Sequence, residues 1–242
     1  MLTVPEGRVT NSLLYEGKAK QIYTTDQPGV LLAVFKDDAT AFNAQKRGTI
    51  QRKGQVNATI SAHLFRKLTA AGIPNHFLDQ PEPHALHLSQ LRMIPLEVVV
   101  RNVVAGSLCT RTDLPRGQVL ARPLVEYFYK NDRLGDPLLN NEHIALLGLV
   151  TMDELALIRT SALQVNEILS NFYQACGIRL IDFKLEYGWG DQGLTLGDEL
   201  SPDNCRLWDM RDDRVLDKDR FRHDLGGVDE SYQEVLARVL KL

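Results

Sequence analysis

The chain has 242 residues, enough to bury an ample core as one large domain or two small lobes. A formal net charge of −3 excludes a global attraction for nucleic acid, and no basic run carries interleaved aromatics. No apolar stretch reaches the length of a membrane span, the first residues lack the order of a secretory signal, and Cys109, Cys176 and Cys205 lack paired spacing; together these predict a cytoplasmic protein with reduced thiols and a small-molecule partner.

In chain order, Asn11 to Tyr23 reads as a hairpin turning at Glu16-Gly17-Lys18. Gly17 lets the backbone come close to a ligand, and Lys18 and Lys20 supply positive charge, an arrangement suited to covering a polyphosphate. A plain soluble turn is the alternative, and the Gly-x-x-x-x-Gly-Lys-Ser/Thr spacing of a Walker loop is absent. Val30 to Lys36 reads as a strand, broken by the polar run Asp37 to Asn43, which predicts a loop. Val56, Ile60, Leu64 and Leu68 recur every four residues and predict a helix to Ala71, stopped by Gly72 and Pro74. His76, His84, His87, His143 and His223 lack the i, i+4 spacing of a helical metal pair and are expected at the surface.

Met93 to Val100 reads as a strand crossing between two lobes, with Glu97 among valines in need of a partner. Arg101 and the turn Gly106-Ser107 that follow it suit a phosphate, the guanidinium as a planar fork and the serine as a donor. Arg111 to Pro137 is polar and turn-rich around an aromatic strand, Glu126 to Asp132. Thr151-Met152-Asp153-Glu154 is a capping box opening a long helix whose stripe runs Leu155, Ile158, Ala162, Val165, Leu169, Phe172 and Cys176, closed by Gly177. Cys176 is thereby a packed thiol.

A strand from Ile178 to Tyr187 sends Ile181, Phe183 and Leu185 to one face and Asp182, Lys184 and Glu186 to the other. The Gly-rich turn Gly188 to Gly193 folds the chain back, bringing Asp198 and Glu199 near that row, so that several carboxylates and a lysine share one pocket. Such acids repel one another unless cations join them, and Mg²⁺ with oxygen ligands is the usual remedy. A solvated sheet face is the alternative reading. Against it stand the turn Ser201-Pro202-Asp203 and Arg206 set among apolar residues. A charged turn, Asp217 to Arg220, precedes a terminal helix with Tyr232, Val235, Leu236, Val239 and Leu240 on one side.

Taken together, Leu14 to Lys20, Phe35 to Asn43, Lys53-Gly54 before Asn57, Met93 to Ser107, Leu180 to Gly188 and Leu196 to Asp209 closely resemble the SAICAR synthetase family. The most specific pieces are Ile94-Pro95-Leu96-Glu97 through Arg101 to Gly106-Ser107, and Asp182-Phe183-Lys184-Leu185-Glu186-Tyr187-Gly188. Tyr187 and Thr40 stand where the family more often has Phe and Ser.

The resemblance implies an α+β fold of two lobes, an N-terminal antiparallel sheet like a kinase small lobe over residues 1–92 and a larger α+β lobe over 93–242, with an ATP cleft between. It also implies a ligase that joins the carboxylate of 5-amino-1-(5-phosphoribosyl)imidazole-4-carboxylate (CAIR) to L-aspartate at the expense of ATP, acting as a homodimer. In that frame Gly17, Lys18, Lys20 and Lys130 hold the nucleotide phosphates, Glu186 and Asp198 hold Mg²⁺, and Lys184 neutralises the reacting carboxylate while Asp182 orients it or accepts an amine proton. Arg101, Ser107 and Arg206 clamp the ribose phosphate, and Asp38, Thr40 and Asn43 are assigned to aspartate. Two other readings are a kinase-like phosphotransferase, disfavoured because His-Arg-Asp and Asp-Phe-Gly motifs are missing, and a nucleotide-binding regulator without turnover.

Overall fold

The computed structural model describes residues 12–41 and 46–242. Strands β1 (Leu13–Glu16), β2 (Lys20–Thr24) and β3 (Val30–Phe35) form an antiparallel meander with the turn at 17–19, as the hairpin reading expected. The run expected to be a loop after β3 instead begins with β4 (Asp38–Ala41), which pairs with β5 (Lys46–Thr49) as a separate hairpin. Alternation explains this: Ala39 is buried in the core while its neighbour Asp38 is exposed, the period of a half-buried strand. Asn43 lies outside the described residues.

Helix α1 (Lys53–Ala70) begins under Asp37, whose carboxylate accepts the Gly54 N–H at 2.8 Å and the Arg52 N–H at 3.2 Å and so satisfies two orphan donors of the first turn. A Cβ at Gly54 would lie 2.4 Å from the Phe35 carbonyl oxygen, so only glycine fits this junction. After α1, β6 (Phe77–Glu82) and β7 (Ala85–Ser89) complete a five-stranded sheet of order β1-β2-β3-β7-β6.

Strand β8 (Arg92–Val103) is not a link between lobes but the centre of a second sheet, paired on one side with β9 (Val119–Tyr129) and on the other with β11 (Ile178–Gly190). Pro95 is tolerated there because it falls in the irregular stretch where the pairing with β11 jumps from Glu97 to Met93, so no ladder bond needs its missing N–H. Between β8 and β11 come α2 (Ser107–Thr112), β10 (Leu138–Leu139), α3 (Asn141–Leu146) and α4 (Met152–Ala175). Thr151 and Glu154 make both bonds of the expected capping box. The α4 stripe of Leu155, Ile158, Ala162, Val165 and Leu169 packs into the core with Leu96, Val98, Phe183 and Leu185 of the second sheet.

Strand β11 carries two partners end to end along the edge opposite β8: β12 (Gly193–Leu196) beside its last residues and β13 (Cys205–Asp209) beside its first. A bulge at Leu180 to Asp182, where two residues face one step of β13, breaks the alternation expected for this strand. Ile181 therefore leaves Phe183 and Leu185 and packs in a separate small cluster with Val103, Ala105, Trp208 and Val215. Helices α5 (Asp219–Arg222) and α6 (Val228–Val239) close the chain, with Tyr232, Val235 and Val239 in the core and Leu240 exposed.

Two lobes of mixed α+β structure result, and α1 serves both. Its Ala58 and Ala62 pack with Ala33, Phe35, Leu86 and Leu88 of the first sheet, while Val56, Ile60, Leu64, Phe65 and Leu68 join the main core. Among the described residues no helix is long and apolar enough to cross a membrane.

Candidate active site

The connection from β12 to β13, residues 197–204, must pass beside the middle of β11, because both strands lie on the same edge. Two backbone bonds fix it there, Gly197 N–H to the Glu186 carbonyl at 2.8 Å and Lys184 N–H to the Asn204 carbonyl at 2.9 Å. Asp198 and Glu199 are thus delivered to the polar face of β11, as the folded-back turn predicted. On that face Lys184 donates to Glu186 at 2.5 Å and to Glu97 at 3.2 Å, and lies 3.0 Å from Asp198. Lys130, just after β9, bonds the other oxygen of Glu186. From the first sheet Lys20 reaches Asp198 at 2.5 Å and Glu199 at 3.3 Å.

Ammonium and carboxylate groups alternate through this cluster, and each sets the other's ionisation. Burial alone would push the Lys184 ammonium down, but Asp198, Glu186 and Glu97 outweigh it and hold its pKa well above the ordinary value. Lys20 behaves likewise, with Asp198 and Glu199 opposing its burial. Burial would raise Asp198, yet Lys184, Lys20 and Lys130 hold it well below the usual carboxylate range. Glu97 goes the other way: burial raises it, and Lys184 only partly offsets that.

These groups line a cleft of about 920 Å³ together with Gly17, Lys18, Asp38 and Thr40. Lys18, at the hairpin tip, spans the mouth to Asp132 at 2.9 Å, and both side chains are more than half exposed. Such a pair is worth at most about 1 kcal/mol, so a phosphate can readily take the lysine from it. Among the described residues no group of three His, Cys, Asp or Glu side chains gathers as a metal cage. The donor set still fits Mg²⁺, which is commonly held by one or two carboxylates plus substrate phosphates. Glu186 and Asp198 meet across a single cation already, the Lys184 ammonium bound to both.

Asp182 is not part of this cluster, although it shares the strand face with Lys184 and Glu186. The register sets it opposite Arg101 of β8 and Arg206 of β13. Arg101, 3 % exposed, donates to Asp182 at 2.7 Å, to Glu126 at 2.6 Å and to the Ser107 hydroxyl at 3.1 Å. Arg206 donates to both Asp182 oxygens, at 3.1 and 2.9 Å, and to Asp219 at 2.8 Å. Its guanidinium lies against Gly106, where a Cβ would come within 2.5 Å of it and where φ is +53°. Burial would lower Arg206, but Asp182 and Asp219 more than offset this and raise it. Arg101, Asp182, Arg206 and Arg222 bound a second pocket of about 290 Å³, joined to the cleft through Lys184, Asp203 and Asn204, which line both. Arg101, Ser107 and Arg206 are thereby brought together as expected.

Several groups escaped the sequence reading. His76 is buried, 6 % exposed, with Nε2 3.1 Å from the Asp198 carbonyl, because a backbone bridge docks residue 75 beside Leu196. Lys53 is fully buried and donates to Asp203 at 2.9 Å, which also accepts from Lys218 at 3.2 Å and Tyr232 at 2.8 Å. The turn signal around Asp203, and Lys53-Gly54 among the resembling segments, hinted at this knot without joining the two. Glu126 binds Arg111 as well as Arg101, and its place on an aromatic strand opposite Val99 was the available clue.

The SAICAR synthetase family model matches residues 13–239. The phosphoribosylaminoimidazole-succinocarboxamide synthase of Gloeobacter violaceus is 63 % identical over 99 % of this chain and 98 % of its own. The crystal structure of the Ehrlichia chaffeensis enzyme of that name superposes with a TM-score of 0.93 at 41 % identity, covering 96 % of this chain and 99 % of that one. A SAICAR synthetase solved in complex with ADP gives 0.91 at 47 % identity, over 94 % and 97 % of the two chains.

Proposed function

Since the chain belongs to the SAICAR synthetase family, we propose that its two joined cavities divide the substrates between them, nucleotide phosphates in the larger cleft and the ribotide phosphate in the arginine pocket. The protein is an ATP-dependent ligase of purine biosynthesis that joins the carboxylate of CAIR to the amino group of L-aspartate, giving SAICAR, ADP and phosphate. The observation that carries the division is the position of Lys184, which lines both cavities.

A carboxylate resists an amine because its charge repels the nucleophile and oxide is a poor leaving group. Phosphorylation removes both obstacles: a carboxylate oxygen bonds the γ-phosphorus as ADP leaves, and the resulting acyl phosphate is open to attack. The amine then bonds the carbonyl carbon, inorganic phosphate departs with the C–O bond, and the nitrogen loses a proton. Bringing the γ-phosphate to a carboxylate sets two anions together, so cations must surround them. Lys18, Lys20 and Lys130, with the backbone at Gly17, hold the phosphates, and Lys184 neutralises the reacting carboxylate at the junction. Arg101, Ser107 and Arg206 clamp the ribose phosphate, with Asp182 orienting the two guanidiniums. Aspartate is assigned to the side of the cleft formed by Asp38 and Thr40; Asn43, given the same role from the sequence, lies outside the described residues. Glu186 and Asp198 would hold Mg²⁺, which when bound disperses negative charge on the phosphates.

A cytoplasmic homodimer belongs to the same reading; a monomer's mass in sedimentation equilibrium would remove the dimer. For the reaction itself, sustained ADP release over many turnovers should require CAIR and aspartate together, whereas sustained release with either one alone would point to a phosphotransferase. Glu186→Gln should remain folded, shift the Mg²⁺ dependence upward and lose at least tenfold in turnover, a barrier change of about 1.4 kcal/mol. Wild-type turnover with unchanged Mg²⁺ dependence would return Glu186 to a purely electrostatic partner of Lys130 and Lys184.

A further inference from the structure

Asp198 has a backbone that needs holding. Its φ is +58°, in the left-handed region that residues with a Cβ seldom adopt, and the residue stands two places beyond the end of β12. Two side chains from the first half of the chain grip the peptides around it. His76 places Nε2 3.1 Å from the Asp198 carbonyl oxygen. Ser61, fully buried on α1, donates its hydroxyl to the Leu200 carbonyl at 3.1 Å and accepts the Leu200 N–H at 3.1 Å. Its neighbour one turn along α1, Phe65, meets the His76 ring edge-on at 5.3 Å between centroids. A single face of α1 therefore supports both grips, one by hydrogen bonds and the other by ring packing. Neither Ser61 nor His76 lines the cleft.

We infer that Ser61 and His76 are positioning residues for Asp198: they fix the strained peptide so that its carboxylate points at Lys20 and Lys184 and at a cation bound with the nucleotide. The inference rests on the metal assignment above. Its physical content is preorganisation, since a carboxylate already aimed loses little freedom when the ion arrives, whereas a relaxed 197–204 connection would have to be ordered at that moment.

The test is equilibrium binding of ADP to the full chain by calorimetry, with and without Mg²⁺, which reads the contribution of the ion without turnover. Ser61→Ala and His76→Phe should each lose about tenfold of the affinity gained from Mg²⁺ while leaving metal-free ADP binding within about twofold. His76→Gln, which keeps an N–H donor, should restore most of the gain. Asp198→Asn should abolish the gain, and adding Ser61→Ala to it should cause no further loss, because both act through one carboxylate. If Ser61→Ala fails to fold, the His76 pair decides the matter alone. A normal Mg²⁺ effect in folded Ser61→Ala and His76→Phe, beside a lost one in Asp198→Asn, overturns the positioning role only. A normal effect in Asp198→Asn overturns the metal assignment and the positioning role with it.

Discussion

Lys18 and Lys20 stand two residues apart on one hairpin, yet their surroundings give them different freedom. Lys20 is enclosed by Asp198 and Glu199, while Lys18 shares an exposed pair with Asp132. Lys18→Ala should therefore change stability by no more than about 1 kcal/mol. If the residue meets phosphates as proposed, ATP affinity should fall about tenfold with CAIR affinity unchanged; unaltered ATP binding in a titration would remove it from the nucleotide site. A second residue-scale contrast is Asp217 against Asp219. Both are buried side by side, but the guanidiniums of Arg206 and Arg222 bond only Asp219. Despite burial, those arginines hold Asp219 down to about 2, whereas burial and the Asp219 charge push Asp217 up to about 7. Between the unfolded value of 3.8 and about 7 the folded chain thus keeps a proton on Asp217 that the unfolded chain has released. That contribution is complete below the unfolded value and lost as pH rises through 7. Asp219 contributes in the opposite sense, present above 3.8 and lost as pH falls toward 2. In urea titrations from pH 5 to 7, the wild type should lose about 1.4 kcal/mol per pH unit relative to Asp217→Asn. Parallel curves for the two proteins would show that Asp217 is ionised throughout.

At the level of elements, the turn joining β8 to α2 depends on Gly106 twice, for a positive φ and for the space Arg206 occupies. Gly106→Ala should cost about 1–3 kcal/mol in denaturant unfolding and raise the Michaelis constant for CAIR, because the displaced guanidinium no longer faces its pocket. An unchanged constant in a destabilised variant would detach Arg206 from ribotide binding. The same elements show what the sequence could and could not reveal. The capping box of α4 and the stripe behind it were legible because they are local, one bond pattern and one period within a single helix. The row Asp182, Lys184, Glu186 was legible for the same reason, being a strand period. What alternation could not reveal was the bulge at Leu180 to Asp182, which depends on β13 and moved Ile181 to another cluster. Nor could it divide the row, since Asp182 joins the arginines only through its partners on β8 and β13. His76 was misread as a surface residue because its burial comes from a pairing with Leu196, far along the chain.

Over the whole molecule, α1 is the member that neither core can spare. Its alanines face the first sheet and its leucines the main core, so removing bulk from one side should loosen both lobes. Leu64→Ala should lower stability by about 2–5 kcal/mol. The fluorescence of Trp189 and Trp208 and the far-ultraviolet ellipticity should still change in one shared transition. Two separated transitions would show lobes that unfold independently. The large sheet also has a property that follows from how one of its edges ends. The edge beyond β11 is divided between β12 and β13, with residues 197–204 standing between them. A growing aggregate needs a long, continuous ladder of unpaired backbone groups on which to add a foreign strand. Here the segment that carries Asp198 interrupts that ladder, so the chain's most crowded charges also act as a gatekeeper against edge-to-edge association.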